Sequence, residues 1–189
     1  NTNIFLMDLT GQIIVSQPLL EDQRFFKTVI YICAHSPEGS MGIIINKKID
    51  FDLYPDLLQQ LGIDKPFDTK KLFIRYGGPV ESNRGFILHS DEMMRKESLN
   101  IDKGIALTST SEFFEDLSKG NMPNKSILAL GYAGWGPGQL EDEIIQNSWM
   151  YLSVDSNFIF DDEVSKKWSQ AYKILGIDPL KLSTSSGRA

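Results

Sequence analysis

Apolar and polar positions follow two different rhythms along the chain. In the first half, short β-branched runs dominate: Gln12–Ser16, Thr28–Ala34 and Met41–Lys47. Each is too short for a stable helix and rich in residues that suit a pleated, half-buried surface. Ser36-Pro37-Glu38-Gly39-Ser40 separates the second run from the third and predicts a hairpin with a longer loop. Ile43-Ile44-Ile45 shows no alternation, as expected of a strand buried on both faces. A short helix is expected over Pro55–Leu61, stopped by Gly62. Leu72–Tyr76 and Gly85–His89 read as strands on either side of a Gly77-Gly78-Pro79 turn, and Ile105–Thr108 as another strand.

The rhythm then lengthens. Ser109-x-x-Glu112 fits a capping box, with a helix running to about Ser118 and closing at Gly120. The strand Ser126–Leu130 leads into the glycine-rich segment Gly131–Gly138, read as a turn, and a helix follows from Gln139 to about Gln146. Trp149–Ser153 is again a strand. Behind Asp161 and Asp162, the residues Val164, Trp168, Ala171 and Leu175 recur at helical spacing, with Gly176 as the stop. Many strands and few helices predict a single-domain mixed α/β (α+β) fold, a mixed β-sheet with helices packed on it. Residues 1–182 are expected to form that domain, and the serine-rich residues 183–189 a flexible tail.

Composition agrees with this picture. The chain has 189 residues, 41% hydrophobic and 23% charged, enough to bury about 70% of its unfolded surface without a metal or disulfide staple. Cys33 is the only cysteine, so no internal disulfide or cysteine-based zinc site can form, which suits a reducing compartment. The apolar runs are too short to cross a bilayer. The N-terminus lacks the basic flank and apolar stretch of a signal peptide, and a cytoplasmic location is expected. Net charge is −6, and the pairs Lys47-Lys48, Lys70-Lys71 and Lys166-Lys167 are isolated from one another. That charge speaks against direct nucleic-acid binding and against an anionic membrane surface.

The segments Leu9-Thr10-Gly11, Val29–His35 and Gly39–Asn46, then Tyr76-Gly77-Gly78-Pro79-Val80 and Arg84–Ser90, and above all Leu130–Glu141, run in an order that resembles the YqgE/AlgH family. Asn147 with Trp149 and the Leu175–Asp178 segment complete the likeness. It departs from the family pattern at Gln17-Pro18, at Asn46-Lys47-Lys48 and at Gly187-Arg188-Ala189. The resemblance implies a bacterial cytosolic α/β protein. Members are often labelled transcriptional regulators, a label without an established mechanism, and the family brings neither catalytic residues nor a cofactor.

The candidate chemistry is sparse. Gly131–Gly138 stands where a phosphate loop would stand, but no Gly-Lys-Ser/Thr follows and the dinucleotide spacing fails. Glu141, Asp142 and Glu143 fill the first turn of the next helix and would repel a phosphate. Cys33 and His35, two apart on a predicted strand, should face the same way, but the apolar neighbours of Cys33 favour an inert thiol. His35 and His89 both end strands and would make a metal site only if those ends converged. No catalytic residue, metal or cofactor is assigned. The expected function is that of a non-enzymatic regulatory or interaction protein with an unknown protein partner or small ligand. Its candidate binding surface is Tyr76, Gly77, Gly78, Tyr132, Gly134, Trp135, Gly136, Gln139 and Glu141. The alternative is a small-molecule binder or enzyme with a pocket beside the two glycine turns.

Overall fold

In the computed structural model, residues 3–18, 22–49, 56, 59, 74–102, 104–113, 115–116 and 119–186 are described. The strands are β1 (Ile13–Ser16), β2 (Val29–Ser36), β3 (Gly39–Ile44), β4 (Ile74–Tyr76), β5 (Val80–Ser90), β6 (Leu99–Asp102), β7 (Ile105–Ser109), β8 (Ser126–Trp135) and β9 (Trp149–Leu152). The helices are α1 (Gln139–Ile145), α2 (Ser156–Phe160), α3 (Lys167–Leu175) and α4 (Pro179–Ser186). One sheet runs in the order β6-β7-β5-β8-β3-β2-β1-β9, with β4 also paired to β8. All neighbours are antiparallel except β4 and β8, which makes the sheet mixed.

The isoleucine and valine runs explain the layers. Ile13, Val15, Val29, Tyr31, Ile43 and Ile45 enter the largest core cluster, while Ile14, Ile30, Ile32 and Ile44 enter another. Alternate residues therefore pack on opposite faces, and both faces are covered, as Ile43-Ile44-Ile45 predicted. Trp168, Ala171 and Tyr172 of α3 pack into the first cluster, and Leu140 of α1 into the second. The Trp168 indole and the Tyr172 hydroxyl both donate to the Ser16 carbonyl at 2.9 Å, docking α3 on the end of β1. Gly176 closes α3 in the left-handed region, as expected of a helix stop. The sheet also curls. A Cβ placed on Gly11, just before β1, would lie 2.9 Å from Oδ2 of Asp102 on β6, although β6 opens the strand order and β1 stands near its other end.

Several expectations change. The β2–β3 connection is a two-residue turn, Pro37-Glu38, because Ser36 pairs directly with Gly39. The glycine-rich segment is not a turn as far as Trp135: β8, ten residues long, runs on through Gly131 to Trp135, and only Gly136-Pro137-Gly138 reverses the chain before α1. Gly77-Gly78 is a crossing. β4 lies on the same side of β8 as β3, and β5 lies on the other, so the chain must pass over the β8 backbone. A Cβ on Gly77 would fall 2.3 Å from the Gly131 oxygen, and one on Gly78 2.1 Å from the Tyr132 carbonyl carbon; only glycines permit that approach.

Periodicity did not predict β6, α2 or α4. Helical backbone continues through Ser186, into the segment whose composition predicts a tail, and residues 187–189 lie outside the described residues. The helix predicted over Pro55–Leu61 lies outside them too, apart from Asp56 and Gln59, as do Leu72 and Phe73. In the Ser109–Glu112 box, the Ser109 hydroxyl meets that of Ser111, and the Glu112 amide donates to the Ser109 carbonyl. Asn121 then donates to the Asp116 carbonyl across Gly120, which is left-handed as a stop would be, while residues 114, 117 and 118 of the predicted helix lie outside the described residues.

A candidate binding groove at the end of the central strand

A wide-mouthed groove of about 620 Å³ crosses the last residues of β8. One wall is the β2–β3 hairpin from Ala34 to Met41, and the other is the start of β5 with Glu81, Arg84 and Phe86. Tyr132, Gly134 and Trp135 of β8 lie between them. The β5 wall stands out because the strand bulges. Val80 pairs with Tyr132 and Gly85 with Leu130, so residues 81–84 stand opposite Gly131 alone. Glu81 begins the bulge in the left-handed region at φ 47°, a conformation that costs a non-glycine residue about 1 kcal/mol or more. The bulge presents Arg84, whose guanidinium lies 4.9 Å from the Phe86 ring centroid and 3.5 Å from the Glu81 carboxylate. Phe86 meets Tyr132 edge-on at 5.9 Å.

Trp135 closes the floor and belongs to the core beneath it. It is 8% exposed and meets Trp149 edge-on at 6.2 Å. One carboxylate oxygen of Glu143 accepts from both indoles, at 3.2 Å from Trp135 and 3.0 Å from Trp149. His35 and Glu141 form a buried pair beside it, with side chains 4% and 6% exposed. The tautomer follows from the partners. The Leu9 backbone amide lies 2.8 Å from Nδ1 and can only donate, so Nδ1 accepts; Nε2 then carries the proton and donates to the Glu141 carboxylate. Both imidazole nitrogens are therefore occupied. The pair ties the segment before β1, the end of β2 and the first turn of α1 together. The Asp8 carboxylate lies 3.9 Å from Nδ1, and its pKa is lowered first by the Thr10 hydroxyl and amide.

The structure divides the surface expected from sequence. Tyr132, Gly134 and Trp135 line the groove, and Gly136 and Gln139 are exposed at its end, where the Gln139 side chain accepts from the Gly136 amide at 3.0 Å. Glu141 is buried with His35 and is not an exposed polar handle. Gly77 and Gly78 are buried at the crossing, and Tyr76 packs against the core cluster that contains Trp135. The two glycine segments thus form no common crevice: one crosses β8 at Gly131, the other leaves it after Trp135. Sequence reasoning missed Glu38, Ser40, Met41, Glu81, Arg84 and Phe86. Periodicity could not find the bulge, but Gly39–Asn46 and Arg84–Ser90 both lie in the segments that carried the family resemblance.

The other candidates are structural. A register shift between Ile32 and Ala34 breaks the alternation of β2, so Cys33 enters the core while His35 turns to Leu9 and Glu141, and the two do not face the same way. Burial pushes the Cys33 thiol well above its ordinary pKa. His89 is fully buried on β5, bonded to Thr108 at 2.7 Å and to the Ser90 carbonyl at 2.8 Å, and burial lowers its pKa. Strands β3 and β8 separate its strand from that of His35. Among the described residues, no three His, Cys, Asp or Glu side chains gather as metal ligands, and no helix is long and apolar enough to cross a membrane.

Comparison with known proteins places this fold and its sequence together. The AlgH-like family model (DUF179) matches residues 13–180. The chain belongs to the AlgH-like family. Among its relatives, a UPF0301 protein of Jannaschia sp. (strain CCS1) is 44% identical over 184 residues, covering 96% of each chain. Another UPF0301 protein, of Methylobacterium nodulans, is 46% identical over 189 residues, covering 96% of this chain and 90% of its own. The solution structure of AlgH from Pseudomonas aeruginosa superposes with a TM-score of 0.78 at 31% identity, over 97% of this chain and 96% of that one. A crystal structure of DIP2367 from Corynebacterium diphtheriae shares the fold at a TM-score of 0.64 and 18% identity. The AlgH-like family thus carries the mixed-sheet architecture, and its members have no established molecular function.

Proposed function

We propose that this AlgH-like chain is a non-catalytic, cytoplasmic regulatory protein that acts by binding, with the groove beside Gly134 as its recognition surface for a small ligand. The observation that carries this reading is the combination of a concave, aromatic-walled groove with an engaged histidine. The groove offers Phe86, Tyr132 and Met41 for contact and Arg84, Glu81, Glu38 and Ser40 for orientation, the mixture a ligand site needs. The imidazole that lines it, His35, has both nitrogens committed to Leu9 and Glu141, which supports binding over acid–base chemistry. Any effect on transcription is then indirect. The net charge of −6 and the two carboxylates at the groove argue against duplex DNA as the partner.

Affinity capture from native lysate, with mass spectrometry of small molecules, tests the reading. The protein and its Gly134→Val variant serve as baits, since the valine fills the groove floor. A compound retained by the protein and lost from the variant is expected. An identical set of retained compounds on both baits contradicts the proposal.

A further inference from the structure

The glycines around β8 are of two kinds. Gly39, Gly77, Gly78 and Gly131 are required by close backbone approach, because an added Cβ would lie 2.5, 2.3, 2.1 and 2.3 Å from main-chain atoms. Gly134 is different. It has no left-handed φ, and a Cβ there would meet only Tyr132 Cε2 at 3.5 Å and Val80 Cγ2 at 4.0 Å, ordinary van der Waals contacts. Neither backbone conformation nor packing requires glycine at this position, and glycine weakens a strand interior. What the missing side chain leaves is space. Gly134 is exposed on the groove floor, paired with Met41 across β3 and β8, with Tyr132 beside it and Phe86 edge-on to Tyr132.

A slot of this shape suits a ring. An aromatic ring laid over a strand glycine covers exposed peptide backbone and meets flanking aromatics at their edges. The rim sets the polarity. Glu38 and Glu81 supply carboxylate acceptors, and Ser36 and Ser40 supply hydroxyls. Among the described lining residues Arg84 is the one cation, and it already faces Phe86 and reaches Glu81. One positive charge against two negative ones leaves the rim at −1, which favours a ligand that donates hydrogen bonds and disfavours an anion.

We propose that the groove recognises a small molecule through a flat aromatic or heteroaromatic ring bearing N–H donors, laid over Gly134, and that it rejects phosphate esters and carboxylates. This rests on the reading of the groove as a binding surface and names the ligand chemistry for it.

Three probes of similar size separate the terms: benzamidine (flat ring, N–H donors), benzoate (flat ring, acceptor) and cyclohexanecarboxamidine (N–H donors, no flat ring). Each is titrated into the ¹⁵N-labelled protein while backbone amides are followed. Benzamidine should saturate with a Kd of about 1–10 mM, as expected for so few atoms, and shift the amides of Met41, Tyr132 and Gly134. The other two should bind at least about tenfold more weakly. Gly134→Val should weaken benzamidine more than about tenfold at an unchanged fold. Should that variant fail to fold, the rim variant Glu38→Gln/Glu81→Gln, whose side chains stand at the groove's open edge, should weaken benzamidine and improve benzoate. Equal binding of benzoate or of the saturated amidine overturns the ligand chemistry and leaves the groove reading standing. So does silence from all three probes while a broad fragment set still shifts groove amides. Silence from every fragment takes the groove reading down as well.

Discussion

Replacing Trp135 by alanine separates its two roles, as groove floor and as core. The indole is 8% exposed, packs with Trp149, Leu140 and Ile44 in one buried cluster, and shares the Glu143 carboxylate with Trp149. Truncating a buried aromatic of this size costs about 3–5 kcal/mol, part from lost transfer energy and part from the cavity left behind. In a domain of this length that corresponds to a fall in melting temperature of roughly 10 °C. Trp135→Phe keeps most of the ring and loses the hydrogen bond, so it should cost about 1–2 kcal/mol. Urea denaturation followed by circular dichroism gives both values. The denaturant slope should stay constant, because the unfolded surface barely changes. A loss below about 1 kcal/mol for the alanine variant would show that Trp135 is a surface group and that the packing argument is wrong.

Lys167 is 1% exposed, bonded to the Phe158 carbonyl, and burial lowers its pKa to about 8. Its charged form is the one the fold disfavours. Between pH 8 and about 10.5 the unfolded chain holds the proton that the folded one has released, so this lysine makes stability rise with pH in that window, by at most about 3 kcal/mol. Tyr31, Tyr172 and Cys33 are raised and act in the opposite sense at high pH. The difference between the protein and Lys167→Met isolates the lysine: the variant's advantage should shrink from pH 7 to pH 10, and a constant difference would refute the assignment. Glu141→Ala leaves the His35 N–H without its buried acceptor and should cost about 2–3 kcal/mol; amide exchange at Leu9 should rise with it, and unchanged Leu9 protection would break the link. Iodoacetamide should label Cys33 at least about a hundredfold more slowly in the folded than in the unfolded protein, and equal rates would show an accessible thiol. Fluorescence anisotropy at physiological salt should detect no sub-micromolar binding to duplex DNA; tight, steeply salt-dependent binding would overturn that view.

The strand runs were legible because their isoleucines and valines serve two cores at once. Ile43-Ile44-Ile45 lacks alternation since both of its faces are covered, and α3 carried a clear stop at Gly176. What was illegible depended on other strands. Gly131 and Gly134 look alike in sequence, yet one is there because the Gly78 backbone crosses it and the other leaves a gap. Local pattern cannot tell a glycine required by contact from one that leaves room. The β5 bulge was hidden for a similar reason: residues 81–84 form part of a wall only because β8 supplies a single residue opposite them. Glu141 read as an exposed first-turn acid, and its burial depends on His35 from a strand more than a hundred residues earlier. α2 and α4 are short and carry little periodicity of their own.

The central claim is that the groove over Gly134 is where this family member binds. The most direct measurement maps a diverse fragment set onto the ¹⁵N-labelled protein and onto Gly134→Val under identical conditions. The account predicts hits whose shifts centre on Met41, Tyr132, Gly134 and Arg84 and vanish in the variant. Hits that cluster elsewhere, or that persist unchanged when valine occupies the floor, would contradict it.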